Sequence, residues 1–318
     1  MRIVFMGTPE FAVPSLNALL DSPHDVVGVV TQPDRPKGRG QDLATSPIKQ
    51  LALERGVPIL QPLKMKDPAF LEALAAWKPD LIAVTAFGRI LPKVVLDLPP
   101  KGCMNVHGSL LPKYRGAGPI QWAIIKGEHE TGITTMLMDE GMDTGAMLLQ
   151  ETLPITPVDT AGTLSTRLAE VGGRLLVTTI AGLLDGTVAP KPQDHSRATM
   201  APLLQKEDGL LDWTQSAVDL VNRIRGLTPW PGAYTFAKNE RWAIWRASVM
   251  EQSGGGTPGT VHSTTKDAIL VTTGKDLLVL TELQPANSRK MTAAQYLAGH
   301  PIPPGLVLGA GLAPATNE

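Results

Sequence analysis

The sequence predicts an α/β fold, a Rossmann-like, mainly parallel sheet with helices on both faces, followed by a small C-terminal β-barrel of OB-like type. Three observations carry this expectation. Over the first 150 residues, short β-branched or apolar runs alternate with amphipathic segments, the pattern of strands buried on both faces and the helices that cover them. Three of those helices have readable starts: Thr8-Pro9, Ser46-Pro47 and Asp67-Pro68 each place a capping side chain before a proline at the first helical position. Beyond about residue 209 the pattern becomes one helix followed by short strands split by Gly-containing turns, as in a small barrel.

In chain order, Ile3–Met6, Val26–Val30, Val57–Leu60, Leu81–Phe87 and Met104–Val106 read as strands, each punctuated by Gly or Pro. A long helix over roughly 160–184 carries Leu164, Leu168, Val171 and Leu175 on one face. Residues 186–209 then mix prolines and charges without periodicity, the profile of a linker. These breaks divide the chain into a catalytic domain over 1–189, a linker over 190–208 and a barrel domain with a flexible tail over 209–318. Within the last part, Ala217, Leu220, Val221 and Ile224 are in helical phase. The strand candidates that follow are Trp242–Val249, Gly259–His262, Ala268–Thr272 and Leu277–Leu283.

Composition narrows the function classes. Hydrophobic residues make up 43% of the 318 and charged ones 19%, enough apolar material for a large core. A formal net charge of -1 argues against nonspecific attraction to nucleic acid over the whole surface, but leaves room for a local basic patch. The single cysteine, Cys103, excludes an intramolecular disulfide and fits a reducing compartment. The four-residue apolar run Ile3–Met6 before Gly7 is too short for a signal-peptide core, and no apolar run reaches membrane-spanning length. The expected location is the cytoplasm, without membrane contact.

The chemistry concentrates in residues 105–119, NVHGSLLPKYRGAGP. Asn105 and His107 are two apart on a strand, so both side chains project from one face. They would meet at the strand's carboxyl end, the edge at which open parallel sheets bind ligands. Gly108 would allow close approach to the backbone. The structural alternative is a strand-end Asn in a turn and a core histidine. Asp143, in MDEGMDTGAML, could orient His107 and stabilise its imidazolium form, or could simply sit in a turn; Asp139 and Glu140 are rival carboxylates. Cys103 falls on the same strand face and could be imagined as a nucleophile, against the plainer reading of a buried strand cysteine. With no Ser or Cys elbow, the three polar groups point to direct acyl transfer. Asn105 would donate to a developing oxyanion, His107 would stabilise or protonate the same oxygen, and Asp143 would hold the imidazole.

Metal chemistry has no support: the six histidines are scattered and no second cysteine exists. GTPEF follows the first strand as a phosphate loop would, but matches neither G-x-G-x-x-G nor a Walker motif, and reads as a tight turn. The insertion PDRPKGRGQDLATSP after the second strand is long for its place in an α/β unit. From Pro33 to Lys49 the chain holds Arg35, Lys37, Arg39 and Lys49 against Asp34 and Asp42, so this loop could track phosphates.

Taken together, FMGTPEFAVPSL, TQPDRPKGRG, AFGRILP, NVHGSLLPKYRGAGPIQ, MDEGMDTG and LTPWPGAY, in that order, resemble the methionyl-tRNA formyltransferase family over nearly the whole chain. The HGSLLPKYRG block with a downstream Asp marks folate-dependent formyltransferases in general. The early loop and the extra C-terminal domain mark the tRNA enzymes. The resemblance implies a catalytic trio of Asn105, His107 and Asp143. It implies a folate-binding segment at Ser109, Leu110, Leu111 and Pro112, with Phe87 and Gly88 of AFGRILP near the same pocket. It also implies tRNA contacts from Arg39, with Lys37 beside it, and from Lys206 in the linker. The implied reaction moves a formyl group from 10-formyltetrahydrofolate, a co-substrate, to the amino group of methionine on initiator tRNA. A monomer working without a metal is expected.

The nearest rival is a formyltransferase acting on an amino sugar nucleotide. A glycinamide ribonucleotide formyltransferase would not need the second domain or the basic insertion. A folate sensor, a formate-releasing hydrolase and a nicotinamide-dependent oxidoreductase are further alternatives, the last disfavoured by the missing dinucleotide fingerprint. One feature fits the tRNA reading poorly: from Asp208 onward nine Lys or Arg are matched by nine acids, where a tRNA-binding domain is usually more basic.

Overall fold

A computed structural model describes residues 1–37, 42–252 and 254–309. The chain forms two compact units. The first comprises residues 1–119, 130–154 and 165–202, the second residues 120–129, 155–164 and 203–318.

The first unit is built on strands β1 (Arg2–Gly7), β2 (Asp25–Val30), β3 (Arg35–Lys37), β4 (Asp42–Ala44), β5 (Ile59–Leu60), β6 (Leu81–Thr85), β7 (Cys103–His107), β8 (Glu130–Leu137) and β9 (Met147–Pro154). Seven of them form one sheet in the order β5-β2-β1-β6-β7-β8-β9, while β3 and β4 pair as a separate ribbon. From β5 to β7 the neighbours are parallel; β8 and β9 add antiparallel pairs at one edge. The expected mainly parallel sheet is therefore present, with a mixed edge. Ile3, Val4, Phe5 and Met6 of β1 are fully buried, as are Leu81, Ile82 and Ala83 of β6, which explains their unbroken apolar runs.

Helices α1 (Val13–Leu20), α2 (Pro47–Glu54), α3 (Pro68–Ala76) and α4 (Lys93–Leu96) lie between the parallel strands in sequence. Ser46 caps α2 by accepting from Lys49 N, and Asp67 caps α3 by accepting from Ala69 N, as their Pro-marked starts foretold. Thr8-Pro9 behaves differently. A 3₁₀ turn at Glu10–Ala12 precedes α1, and Ala12 offers that helix no side-chain cap. Thr8 Oγ1 instead donates to Phe87 O at 3.2 Å and lies 3.4 Å from Gln32 N. It stitches together the carboxyl ends of β1, β2 and β6, the point where strand order reverses and open sheets leave a crevice.

Two further helices, α5 (Pro119–Ile125) and α6 (Ala161–Asp185), follow. Leu164, Leu168, Val171 and Leu175 of α6 are all buried, as their spacing requires. The stretch after α6, whose composition is that of a linker, is paired with the first unit along much of its length. Lys191 and Met147 exchange backbone hydrogen bonds, and Arg115 N donates to Thr199 O while Ala201 N donates to Arg115 O.

In the second unit, α7 (Ala217–Gly226) starts at Ser216, whose hydroxyl accepts from Asp219 N. It buries Ala217, Leu220 and Ile224 against strands β10 (Ala233–Ala237), β11 (Glu240–Met250), β12 (Val261–Thr264), β13 (Ile269–Thr272) and β14 (Leu277–Pro285). Strand β15 (Met291–Thr292), helix α8 (Ala293–Leu297) and β16 (Leu308–Gly309) complete it. The sheet runs β12-β13-β14-β11-β10-β16, with β15 on β14. Val261 N donates to Leu306 O at 2.7 Å and Leu308 N to Gly259 O at 2.8 Å, which joins the last strand to the first. The antiparallel sheet thus curls round as a half-barrel, in keeping with the expected small barrel domain.

Candidate active site

Strand β7 ends at the crevice with Asn105 and His107 on one face. Pairing with β6 on one side and β8 on the other fixes its register, Asn105 opposite Val84 and Met136. Cys103 shares that face but not the site. It is 1% exposed, packed with Val95, Leu96 and Ile82, and its Sγ points at Val95 O and Leu96 O. Burial, helped by Asp97, pushes its thiol pKa up to about 12. A cysteine so protonated at neutral pH is no nucleophile.

His107 is buried, and oxygens face both ring nitrogens. Nε2 donates to Tyr114 O at 2.9 Å. Nδ1 stands 3.5 Å from Asp143 Oδ2, a contact between an ionisable pair that is longer than a normal hydrogen bond. The doubly protonated ring is the form that would satisfy both oxygens at once. Asp143 is held from its other side, because the same Oδ2 accepts from Gly116 N at 2.8 Å. Its backbone is left-handed, with φ 53°, a conformation that costs a non-glycine residue roughly 1 kcal/mol and that Asp tolerates better than most. Of the rival carboxylates, Asp139 accepts from Gly141 N and Thr144 Oγ1 and so shapes the loop itself. Glu140 lies 3.9 Å from Lys93.

Asn105 is different in kind. Its side chain is partly exposed, and among the described residues none hydrogen-bonds it. Gly7, Thr85 and Asn105 all lie on the three central strands that end here, but only Asn105 presents an uncommitted amide.

The segment after His107 is locked in place. Ser109 is fully buried and donates to Lys113 O at 2.6 Å, so its hydroxyl closes the turn. Leu110 is partly exposed, and Leu111 is buried, with its N–H on Thr134 Oγ1 and its carbonyl accepting from Gln150 Nε2. Pro112 follows through a cis peptide bond. Across the crevice, Phe87 is buried in the core and its carbonyl accepts from Gln32 Nε2 at 2.9 Å. Gly88 has φ 75°, and a Cβ there would come within 2.6 Å of Gln32 Nε2. Gln32, which sequence reasoning passed over, and Thr8, which it read as a helix cap, thus shape this wall; their signal was a polar residue just after a buried strand.

Beside this wall lies a cleft of about 600 Å³ whose lining includes Met65, Ile90, Leu91, Val94 and Lys93. Ile90 and Val94 are 80% and 52% exposed, an apolar surface with no protein partner to cover it. Another cleft, of about 460 Å³, runs between α1 and α6 past Pro14 and Gly173; neither cleft is lined by Asn105, His107 or Asp143.

The expected nucleic-acid contacts are placed less fully. Arg39 lies outside the described residues. Lys37 ends β3, paired with Asp42 of β4. Lys206 is exposed, ahead of a 3₁₀ turn at Glu207–Gly209 in the second unit. Lys49 is engaged elsewhere, its ammonium 2.5 Å from Asp34, whose carboxyl it and Gln61 hold below the ordinary range. Among the described residues no group of three His, Cys, Asp or Glu side chains is placed to hold a metal ion, and no helix is long and apolar enough to cross a membrane.

Comparison with known proteins agrees with this geometry. The formyl transferase family model matches residues 1–180, and the model of the formyl transferase C-terminal domain matches residues 203–301. The methionyl-tRNA formyltransferase of Desulfotalea psychrophila is 53% identical over 302 residues, 95% of this chain and 94% of the relative. The chain belongs to the methionyl-tRNA formyltransferase family. Another member, from Pelotomaculum thermopropionicum, is 52% identical over 97% of this chain and 99% of its own. Solved structures share the fold at lower identity. An N-formyltransferase from Helicobacter canadensis, in complex with folinic acid and dTDP-3-aminofucose, superposes with a TM-score of 0.67 at 19% identity, over 91% of this chain and 99% of that one. HypX from Aquifex aeolicus in complex with tetrahydrofolic acid gives 0.60 at 20% identity; this chain, 93% covered, spans 47% of it.

Proposed function

We propose that Asn105, His107 and Asp143 carry the family's reaction, transfer of a formyl group from 10-formyltetrahydrofolate to the amino group of methionine on initiator tRNA. The observation that carries this reading is the convergence at one sheet edge of an uncommitted amide, a buried imidazole and a carboxylate 3.5 Å from its Nδ1. 10-Formyltetrahydrofolate supplies an electrophilic formyl carbon whose oxygen gains negative charge as the amine adds. Asn105 Nδ2 is placed to donate to that oxygen. His107 Nε2 is committed to Tyr114 O, which leaves Nδ1 as the ring atom able to give or take a proton. Asp143 keeps that nitrogen oriented and offsets the charge of the imidazolium. A free α-amino group has a pKa near 8, so roughly a tenth is neutral and nucleophilic at pH 7 without any strong base. One proton must leave it and one must reach the departing nitrogen, and His107 Nδ1 and Asp143 Oδ2 are the titratable atoms placed to relay them.

The apolar cleft beside Gly88, with Ser109, Leu110, Leu111, Pro112 and Phe87 shaping its neighbourhood, would hold the pterin. Arg39, Lys37 and Lys206 would contact the tRNA. We place the protein in the cytoplasm as a monomer. Incubation with formyl donor and charged initiator tRNA is expected to yield formylmethionyl-tRNA, much faster than with charged elongator tRNA, and the rate should fall steeply between 50 and 200 mM salt. Salt-insensitive formylation of an amino sugar nucleotide, with none of the tRNA, would refute the reading.

A further inference from the structure

Residues 190–202 do more than connect two domains. Gln193, 5% exposed, sits against the Asp143 loop and uses both ends of its amide. Its Nε2 donates to Asp143 O and to Gly145 O, each at 2.8 Å. Its Oε1 accepts from Arg115 Nε at 3.1 Å and Nη2 at 2.7 Å. Arg115 is equally buried, has no carboxylate partner among the described residues, and rests its Nη2 3.1 Å from His195 Nδ1. A buried guanidinium without a counter-charge is unfavourable unless its donors are satisfied, so here it serves as a rigid fork that aims one amide. The loop has no slack elsewhere, since a Cβ on Gly145 would lie 1.8 Å from Leu137 O.

We propose that Gln193 and Arg115 are positioning residues that hold Asp143 in its left-handed conformation, and so set the distance between its carboxylate and His107 Nδ1. Gly116 N, which donates to Asp143 Oδ2, follows Arg115 directly, so the backbone and the carboxylate of Asp143 are held from neighbouring positions. A segment whose composition resembles a linker thereby reaches the reacting groups. The inference rests on the role proposed above for Asp143.

The test is a mutant cycle in formyl transfer to initiator methionyl-tRNA. Gln193→Glu keeps an acceptor for Arg115 but removes both N–H donors and sets an anion against two carbonyls. It is expected to lower kcat by ~10- to 100-fold, the cost of a displacement of about 1 Å at a reacting group. KM for either substrate should stay within about twofold. In an Asp143→Asn background the same change should have almost no further effect, because there is no longer a carboxylate to position. Arg115→Lys, which leaves Gln193 in place but removes the fork, should show a smaller loss with the same non-additivity, and serves where Gln193→Glu does not fold. A wild-type kcat, a loss confined to KM, or an equal loss with and without Asp143 would overturn the proposal. Near-normal turnover of Asp143→Asn alone would overturn the role of Asp143 itself and this proposal with it. A crippled Asp143→Asn with additive Gln193→Glu would overturn only the positioning.

Discussion

His107→Ala is expected to lower kcat for formyl transfer by about 10³-fold, within the 10²–10⁴ range typical of a positioned proton-transfer group. The argument runs through the two ring nitrogens. Nε2 is spent on Tyr114 O, so it fixes the ring and cannot also serve the substrate. Nδ1 faces Asp143 Oδ2 across 3.5 Å, close enough for one substrate oxygen or nitrogen beside the pair to reach both. Removing the ring abolishes that relay and leaves Asp143 without its charge partner. It also removes the hydrogen bond to the Tyr114 carbonyl, at a stability cost of about 1 kcal/mol. His107→Asn, whose amide can reach part of the same space, separates the effects: it should recover stability but not turnover. Steady-state kinetics with thermal denaturation of both variants makes the check, and near-normal turnover in either would return His107 to a purely structural role.

Asn105→Ala is expected to lower kcat by about 10²–10³-fold, the usual loss on deleting one donor to a developing oxyanion. Here stability should hardly change. Among the described residues nothing hydrogen-bonds the Asn105 amide, so its removal breaks no protein contact, and the melting temperature should move by no more than a few degrees. An amide at the end of a nearly buried strand with no structural duty is expensive to keep unless a ligand uses it. Asn105→Asp, of nearly the same shape but lacking the N–H donors and negatively charged, should be at least as damaging. A large loss of stability with intact turnover would contradict the assignment.

Much of this was legible in the sequence, for identifiable reasons. The parallel strands announced themselves because burial on both faces leaves only apolar residues, as in Ile3–Met6 and Leu81–Ala83. Asn105 and His107 could be paired because strand alternation is local geometry. Their meeting with Asp143 was less accessible: Asp143 lies 36 positions after His107, and β8 intervenes. Strands β9 and β10 escaped notice, because the alternating burial of Met147–Pro154 and Ala233–Ala237 reflects half-exposed positions whose partners are distant in sequence. Thr8 looked like a helix cap, and only the tertiary arrangement turns its hydroxyl toward Phe87 O.

Gln193 and Arg115 were the hardest to foresee. Nothing periodic surrounds Gln193, and the irregular backbone around it is satisfied by hydrogen bonds to Pro112, Arg115, Gly118 and Met147 that no local pattern encodes. The charge balance of the C-terminal part was likewise misleading as a count. Arg223 donates to Asp208 O, and half-buried Arg225 to Thr156 O and Asp159 O, while Arg246 and Lys290 both face Glu282. Those four cations serve the fold of the second unit. What remains for a polyanion is a matter of where Lys238, Arg241, Lys266, Lys275 and Arg289 stand on the surface, all of them exposed.

The most direct test of the account is a crystal structure with a formyl-bearing folate analogue that cannot release its formyl group. The account predicts the formyl oxygen about 3 Å from Asn105 Nδ2, within reach of His107 Nδ1, and the ring system in the cleft beside Gly88 and Ile90. A formyl group bound out of reach of both side chains, or a ring seated between α1 and α6, would contradict it.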